Sequence, residues 1–170
     1  MFQKAIVMTM TTALLAAGAN AATLEFSHGD PAKFIDIRET DGSQDKFEQK
    51  VLTVMEAEFR KQAEKLPADQ VLKVNLKDLD LAGTIEYFEP RFPFGVRVIR
   101  EVDFPSMELH YELLGANKQV VKSGDEKFSD LGFRDDVLVL NDLSEMKYEK
   151  RMIREWFRRT LSPPPVTSRN

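Results

Sequence analysis

Apolar residues recur along this chain with two periods, and the switches between them predict the order of its elements. Leu24 and Phe26 alternate with polar neighbours across Thr23–Ser27, the pattern of a short strand, and His28-Gly29-Asp30-Pro31 ends it as a turn. From Ser43 to Leu66 the residues Phe47, Val51, Met55, Phe59, Ala63 and Leu66 return every three or four positions. That is one face of a long amphipathic helix, entered after Asp41-Gly42 and stopped by Pro67. Over Val71–Leu81, Leu72, Val74 and Leu76 alternate with Lys73, Asn75 and Lys77, which predicts a strand, although Leu72, Leu76 and Leu79 also fit a helix. Phe88 to Gly95 reads as a loop, broken by Pro90 and Pro93.

Two further long strands follow at Val96–Phe104 and Met107–Leu114. Gly115-Ala116-Asn117-Lys118 is a hairpin turn signal that leads into a strand at Gln119–Ser123, and Val137–Leu140 is a candidate for another short one. Asp142 with Glu145 three residues on is a capping box that opens the last helix, whose inner face carries Met146, Glu149, Ile153, Trp156, Phe157 and Thr160. The succession strand, helix, strands, helix predicts an α+β fold. In it an antiparallel-rich sheet of about five strands carries one long central helix and one C-terminal helix on one face.

The first 21 residues fall outside that pattern. Lys4 is followed by an uncharged run from Ala5 to Ala17 and by Ala19-Asn20-Ala21, which reads as a signal peptide cut after Ala21. The run is shorter than the ~20 residues that a membrane span requires. Residues 22–161 then form a single domain, and 162–170, with three consecutive prolines, a disordered tail. The mature chain has no transmembrane segment, and its expected place is the periplasm or the medium. The sequence has no cysteine, which excludes a lipid anchor and disulfides, so the core must suffice alone. With 24 basic and 28 acidic residues the chain is acidic, which disfavours nucleic acid as a partner.

Asp80-Leu81-Ala82-Gly83, Ile99-Arg100 with Pro105 after it, Leu109-His110-Tyr111-Glu112-Leu113, and Glu149-Lys150 with Trp156-Phe157 are similar to motifs of one known family. The chain resembles the domain-of-unknown-function 3016 family of small exported proteobacterial proteins, roughly from Leu24 to Phe157. The resemblance implies a Gram-negative envelope and brings no activity, ligand or catalytic residue.

Charge placement supplies the candidate sites. Even-numbered positions put Asp78 and Asp80 on the apolar side of one strand and Arg100 on that of the next. Unpaired burial costs several kcal/mol, so Arg100 is expected to bridge to Asp80 or Asp78, as a structural ion pair or as a pocket gripping an anionic ligand. Asp78, Asp80, Gly83 and Glu89 also match positions 1, 3, 6 and 12 of a calcium-binding loop, but Ala82 removes one ligand and the flanks are wrong. His28 and His110 are the only histidines, and Glu108, His110 and Glu112 read as a solvated strand face. Ser43 to Lys46 and Ser144 to Lys147 match S-x-x-K without its companion motifs.

No metal, cofactor or catalytic residue is therefore assigned. Lys147, Arg151, Arg154 and Arg158 make a basic stripe on the last helix, either a solvated stabilising face or a contact for anionic lipid or an acidic partner. Phe88, Phe92 and Phe94 crowd a loop beside Arg91, as core anchors or as an exposed recognition patch. These surfaces predict a non-catalytic binding module that meets an envelope protein or an anionic surface. The alternative is a small-ligand protein or hydrolase built on Asp78, Asp80 and Arg100.

Overall fold

The computed structural model describes residues 21–87 and 94–161. Most of the signal-peptide stretch, the Pro-rich tail, and Phe88, Arg91 and Phe92 of the aromatic loop lie outside them. Strand β1 (Thr23–His28) runs parallel to β2 (Val71–Asp80), and α1 (Gln44–Ala63) supplies the crossover that a parallel pair requires. Strands β5 (Ser106–Leu114) and β6 (Val120–Ser129) complete a mixed four-stranded sheet of order β1-β2-β5-β6, in which β2–β5 and β5–β6 are antiparallel. Between β2 and β5 the chain makes a small separate hairpin, β3 (Thr84–Glu86) and β4 (Val96–Val98). A single helical turn, α2 (Val137–Leu140), and the helix α3 (Lys147–Thr160) finish the fold.

Among the described residues only one face of the sheet is covered. Leu72, Val74 and Leu76 of β2, with Leu109 and Tyr111 of β5, are buried beneath Val51, Met55 and Phe59 of α1 and Ile153 and Trp156 of α3. The opposite face is a lattice of charges, in which Lys77 reaches Asp125 at 2.7 Å and His110 reaches the same carboxylate at 3.1 Å. Glu108, His110 and Glu112 belong to this polar face, as their alternation predicts.

Trp156 of α3 has no exposed surface. Its ring meets Phe59 of α1 at 5.8 Å, Tyr111 of β5 at 5.5 Å and Phe128 of β6 at 6.0 Å. Arg154 reaches the buried Glu58 of α1 at 3.7 Å, and the Lys122 ammonium of β6 donates to the carbonyl of Thr160 at the C-terminal end of α3. The long helix, the strands expected at Thr23–Ser27, Val71–Leu81 and Met107–Leu114, and the inner face of α3 are found where the periodicity puts them.

Four elements differ. Val96–Phe104 is extended only to Val98, because it pairs with β3 and turns away at Glu101 and Val102 instead of joining the large sheet. Val137–Leu140 is helical, with the Asp136 carboxylate accepting from the Leu138 amide at 2.9 Å. The Asp142 box closes a turn onto the Ser144 amide rather than capping α3, whose first turn begins after Met146 in the left-handed region. The last strand runs on to Ser129.

The clash of parity in β2 is resolved by the backbone. Its pairing with β5 steps from Leu76–Leu109 to Asp78–Glu108, leaving Lys77 as the extra residue of a bulge. Beyond it the inward side is taken by Leu79 and Leu81, and Asp78 and Asp80 turn to the flank.

The hairpin is clamped to the end of β2 through Gly83, whose φ of +85° suits glycine and whose amide donates to the carbonyl of Asp103 at 2.9 Å. A Cβ there would sit 2.5 Å from the Val98 carbonyl oxygen and from Ile99 Cδ1. Gly83→Ala is accordingly expected to lower the unfolding free energy by at least about 2 kcal/mol in urea titrations. An unchanged midpoint would show that the hairpin is not held at this point.

Candidate functional site

Three arrangements lie around the end of β2 and the first turn of α3, and the first is an aspartate cluster. After the short 3-10 turn at Pro31–Lys33, the chain returns beside β2, and Asp36 forms an isolated parallel bridge with Asp80. Asp36 is gripped by Arg97 of β4 in a two-pronged fork, Nη1 to Oδ2 at 3.1 Å and Nη2 to Oδ1 at 3.2 Å, and Arg38 adds a third contact at 3.2 Å. Burial pushes the Asp36 carboxyl up, but the two guanidinium groups outweigh it and hold its pKa below the ordinary value.

Asp80 has no such partner among the described residues. Burial first, then the charges of Asp36 and Asp78, push its pKa up to about 6, against which Arg97 acts only at longer range. Asp78 has a structural task, accepting from the amides of Ile35 at 2.8 Å and of Leu79 at 2.9 Å.

Arg100 is not the partner of either aspartate. Its guanidinium, half exposed, bridges to Glu86 and lies 4.0 Å from Asp103. The strand that would have carried it alongside Asp80 ends at Val98, so the alternation breaks before Arg100 is reached. Arg97 takes the expected role. Standing between Val96 and Val98 it reads as solvent-facing, but the hairpin lies across the sheet's end and turns that face onto Asp36. Asp78 and Gly83 are likewise strand and tight turn rather than one cation loop, and Glu89 lies outside the described residues.

The second arrangement is a cleft of about 320 Å³ between the start of α1, the end of β2 and the first turn of α3. Phe47, Leu81, Ile99, Met146 and Tyr148 give it apolar walls, and Glu149 stands among them. Glu149 is 3% exposed, and its Oε1 accepts from the Ala82 amide at 2.7 Å, joining α3 to β2. Burial raises the pKa of this carboxyl more than the amide bonds and the distant Arg97 lower it.

The third is a bracketed apolar ridge. The basic stripe of α3 is folded inward. Lys147 donates to the carbonyls of Leu140 and Asp142, at 3.1 Å each, Arg151 bridges to Asp130 and lies 3.7 Å from Asp136, and Arg154 faces Glu58. Arg158 alone of the four is largely exposed, and it pairs with Glu155 at 2.6 Å.

Lys147 and Arg151 thus hold the segment from Asp130 to Asp142, which is also pinned by the buried side chains of Phe133 and Val139. Phe133 meets Tyr148 edge-on at 4.8 Å. So anchored, the segment turns Leu131, Val137, Leu138 and Leu140 outward, with Leu143 just beyond; Leu138 is 82% exposed and Leu143 99%. This ridge was concealed in the sequence, where Val137–Leu140 reads as a strand. The unbroken apolar run flanked by aspartates, with no alternation, is the signal that distinguishes it. Phe94 of the aromatic loop is exposed, beside the exposed Tyr87.

The model of a family described as Protein of unknown function (DUF3016) matches residues 22–159. No curated protein and no solved structure matches the chain.

Two measurements test the aspartate cluster. Arg97→Met, which leaves Asp36 unpaired, is expected to destabilise by about 2–3 kcal/mol, whereas Arg100→Met at its half-exposed site should cost under about 1 kcal/mol. Equal effects in urea titrations would contradict the assignment of the fork. Asp80 has a folded pKa above its unfolded value, so its contribution to stability falls as pH rises from about 4 to about 6 and stays low above that. Asp80→Asn should therefore stabilise by about 1–2 kcal/mol at pH 7, after allowance for solvent screening, and the gain should vanish below about pH 4. A gain that persists in acid would mean that Asp80 is not the group responsible.

Proposed function

The chain belongs to the DUF3016 family, whose description names no activity, and we propose that it is an exported protein of the bacterial envelope acting as a non-catalytic interaction module. The observation that carries this reading is the apolar ridge between Leu131 and Leu143. Large apolar side chains on a mobile loop would be unremarkable. Here Phe133, Val139, Lys147 and Arg151 fix the backbone that displays them, so their exposure is a property of the folded chain. An exposed apolar patch of this kind on a water-soluble surface favours a docking site.

The partner is a protein with an apolar groove. An anionic membrane surface has less support, since Lys147, Arg151 and Arg154 are turned to groups of the chain itself. Export is supported by the leader pattern of residues 1–21. Among the described residues no helix is long and apolar enough to cross a membrane. A hydrolase or small-ligand site at Asp78, Asp80 and Arg100 is less favoured, because Arg100 is directed to Glu86 and Asp103.

Replacing Leu138 and Leu143 together by Asp should leave stability within about 0.5 kcal/mol, both side chains being surface groups. A photo-crosslinker at Leu138 in intact cells should give one discrete adduct that the Leu143→Asp change removes. Adducts equally abundant from Lys73 on the open sheet face, or none from Leu138, would overturn the docking site. Cell fractionation tests the location separately: the protein is expected in the periplasmic fraction with Ala22 as its first residue. A full-length cytoplasmic chain would contradict it.

A further inference from the structure

Charge on the walls of the cleft beside α3 is unevenly committed. Five charged residues line it, three of them cations. Lys50 is bound by Glu145 at 2.6 Å, Lys147 by the carbonyls of Leu140 and Asp142, and Arg97 by Asp36 together with the carbonyls of Gly83 and Arg38. The cations on the wall are thus engaged, and an entering anion would have to displace a partner to reach one. Glu145 is taken up by Lys50.

Glu149 is different. It is held by backbone amides, no salt bridge joins it to a cation among the described residues, and Arg97 and Lys150 act on it only at longer range. A carboxyl removed from water without an ion-pair partner is poorly stabilised in its charged form, and burial drives it toward the neutral one. An ammonium group delivered into the cleft would supply the missing charge. The apolar side chains of Phe47, Leu81, Ile99 and Met146 would take a short hydrocarbon or aromatic body, and Tyr148, whose ring the Lys147 ammonium already approaches at 5.2 Å, closes the wall. A volume of about 320 Å³ lies at the small end of the roughly 300–1,000 Å³ spanned by ligand pockets.

We infer that this cleft is a binding site for a small organic ammonium, with the Glu149 carboxylate as its counter-charge and the apolar walls as the seat of its carbon skeleton. The site adjoins the docking ridge, sharing Lys147 and Tyr148 with the groups that anchor it, but its occupant is a free small molecule rather than a protein surface. The same carboxyl that joins α3 to the Ala82 amide then reports occupancy to the junction of helix and sheet.

The test uses n-hexylammonium, 1-hexanol and hexanoate as probes against the folded chain, followed by amide chemical shifts. Hexylammonium is expected to shift the amides of Ala82, Ile99 and Met146 to Glu149, and to bind at least ten times more tightly than hexanol, with hexanoate weaker still. Ser144→Trp, at the exposed rim, should abolish these shifts without touching Glu149. Glu149→Gln should bring hexylammonium down to the affinity of hexanol. Should the Gln variant fail to fold, the ratio of ammonium to alcohol affinity and the Ser144→Trp block still decide the matter. Hexanol binding as tightly as hexylammonium, a preference for hexanoate, or shifts that survive Ser144→Trp would each overturn the proposal. None of these results bears on the Leu138 crosslink, so the two readings fail independently.

Discussion

Complete burial of the Trp156 ring is the constraint on which the rest of the structure depends. The indole contacts rings from α1, β5 and β6 at 5.5–6.0 Å, so one side chain fixes α3 against every layer of the fold. Aromatic burial of this size dominates core energetics, and the edge-on contacts add direction to it. Once α3 is set, its first turn has one place to go. Glu149 meets the Ala82 amide at the end of β2, while Lys147 and Arg151 meet the segment from Asp130 to Asp142. Cleft and ridge are consequences of one helix being seated by one ring.

The charges follow a division of labour set by the one-sided sheet. On the open face, ion pairs such as Lys77 with Asp125 are in water and add little. At the sheet's end, where hairpin and helices close over the strands, water is scarce and pairing decides stability. Asp36 has its fork from Arg97, whereas Asp80 and Glu149 lack an equivalent among the described residues, and both have raised pKa values from burial. Two carboxyls held toward neutrality beside one guanidinium committed to Asp36 are the chemical signature of this region. It lies where the chain departs from regular pairing, at the bulge of Lys77 and the turn of Gly83.

Local pattern was legible wherever one periodicity ran long enough to average out single residues. Helix α1 showed itself from Phe47 to Leu66, and the inner face of α3, Glu149 included, from its helical spacing. The polar face of Glu108, His110 and Glu112 was equally plain, because strand alternation is a property of the backbone alone. Pattern failed where a single residue altered the count. The bulge at Lys77 reversed the parity of Asp78 and Asp80, and the departure of the chain after Val98 released Arg100 and gave its expected role to Arg97.

What the sequence by itself determined is therefore the α+β class, the long helices, the covered face of β1, of β5 and of β2 as far as Leu76, and the acidity of the chain. These depend on periods of 3.6 and 2 and on summed charge, all local quantities. Tertiary structure alone decided which charges meet. Asp36 and Arg97 stand 61 residues apart and Glu149 and Ala82 67 apart, and their contact depends on how a hairpin folds across a sheet's end and how a helix is seated. The basic stripe makes the same point. Four cations at helical spacing look like a free surface until neighbouring segments are placed beside them, and three of them then become the brackets of the fold.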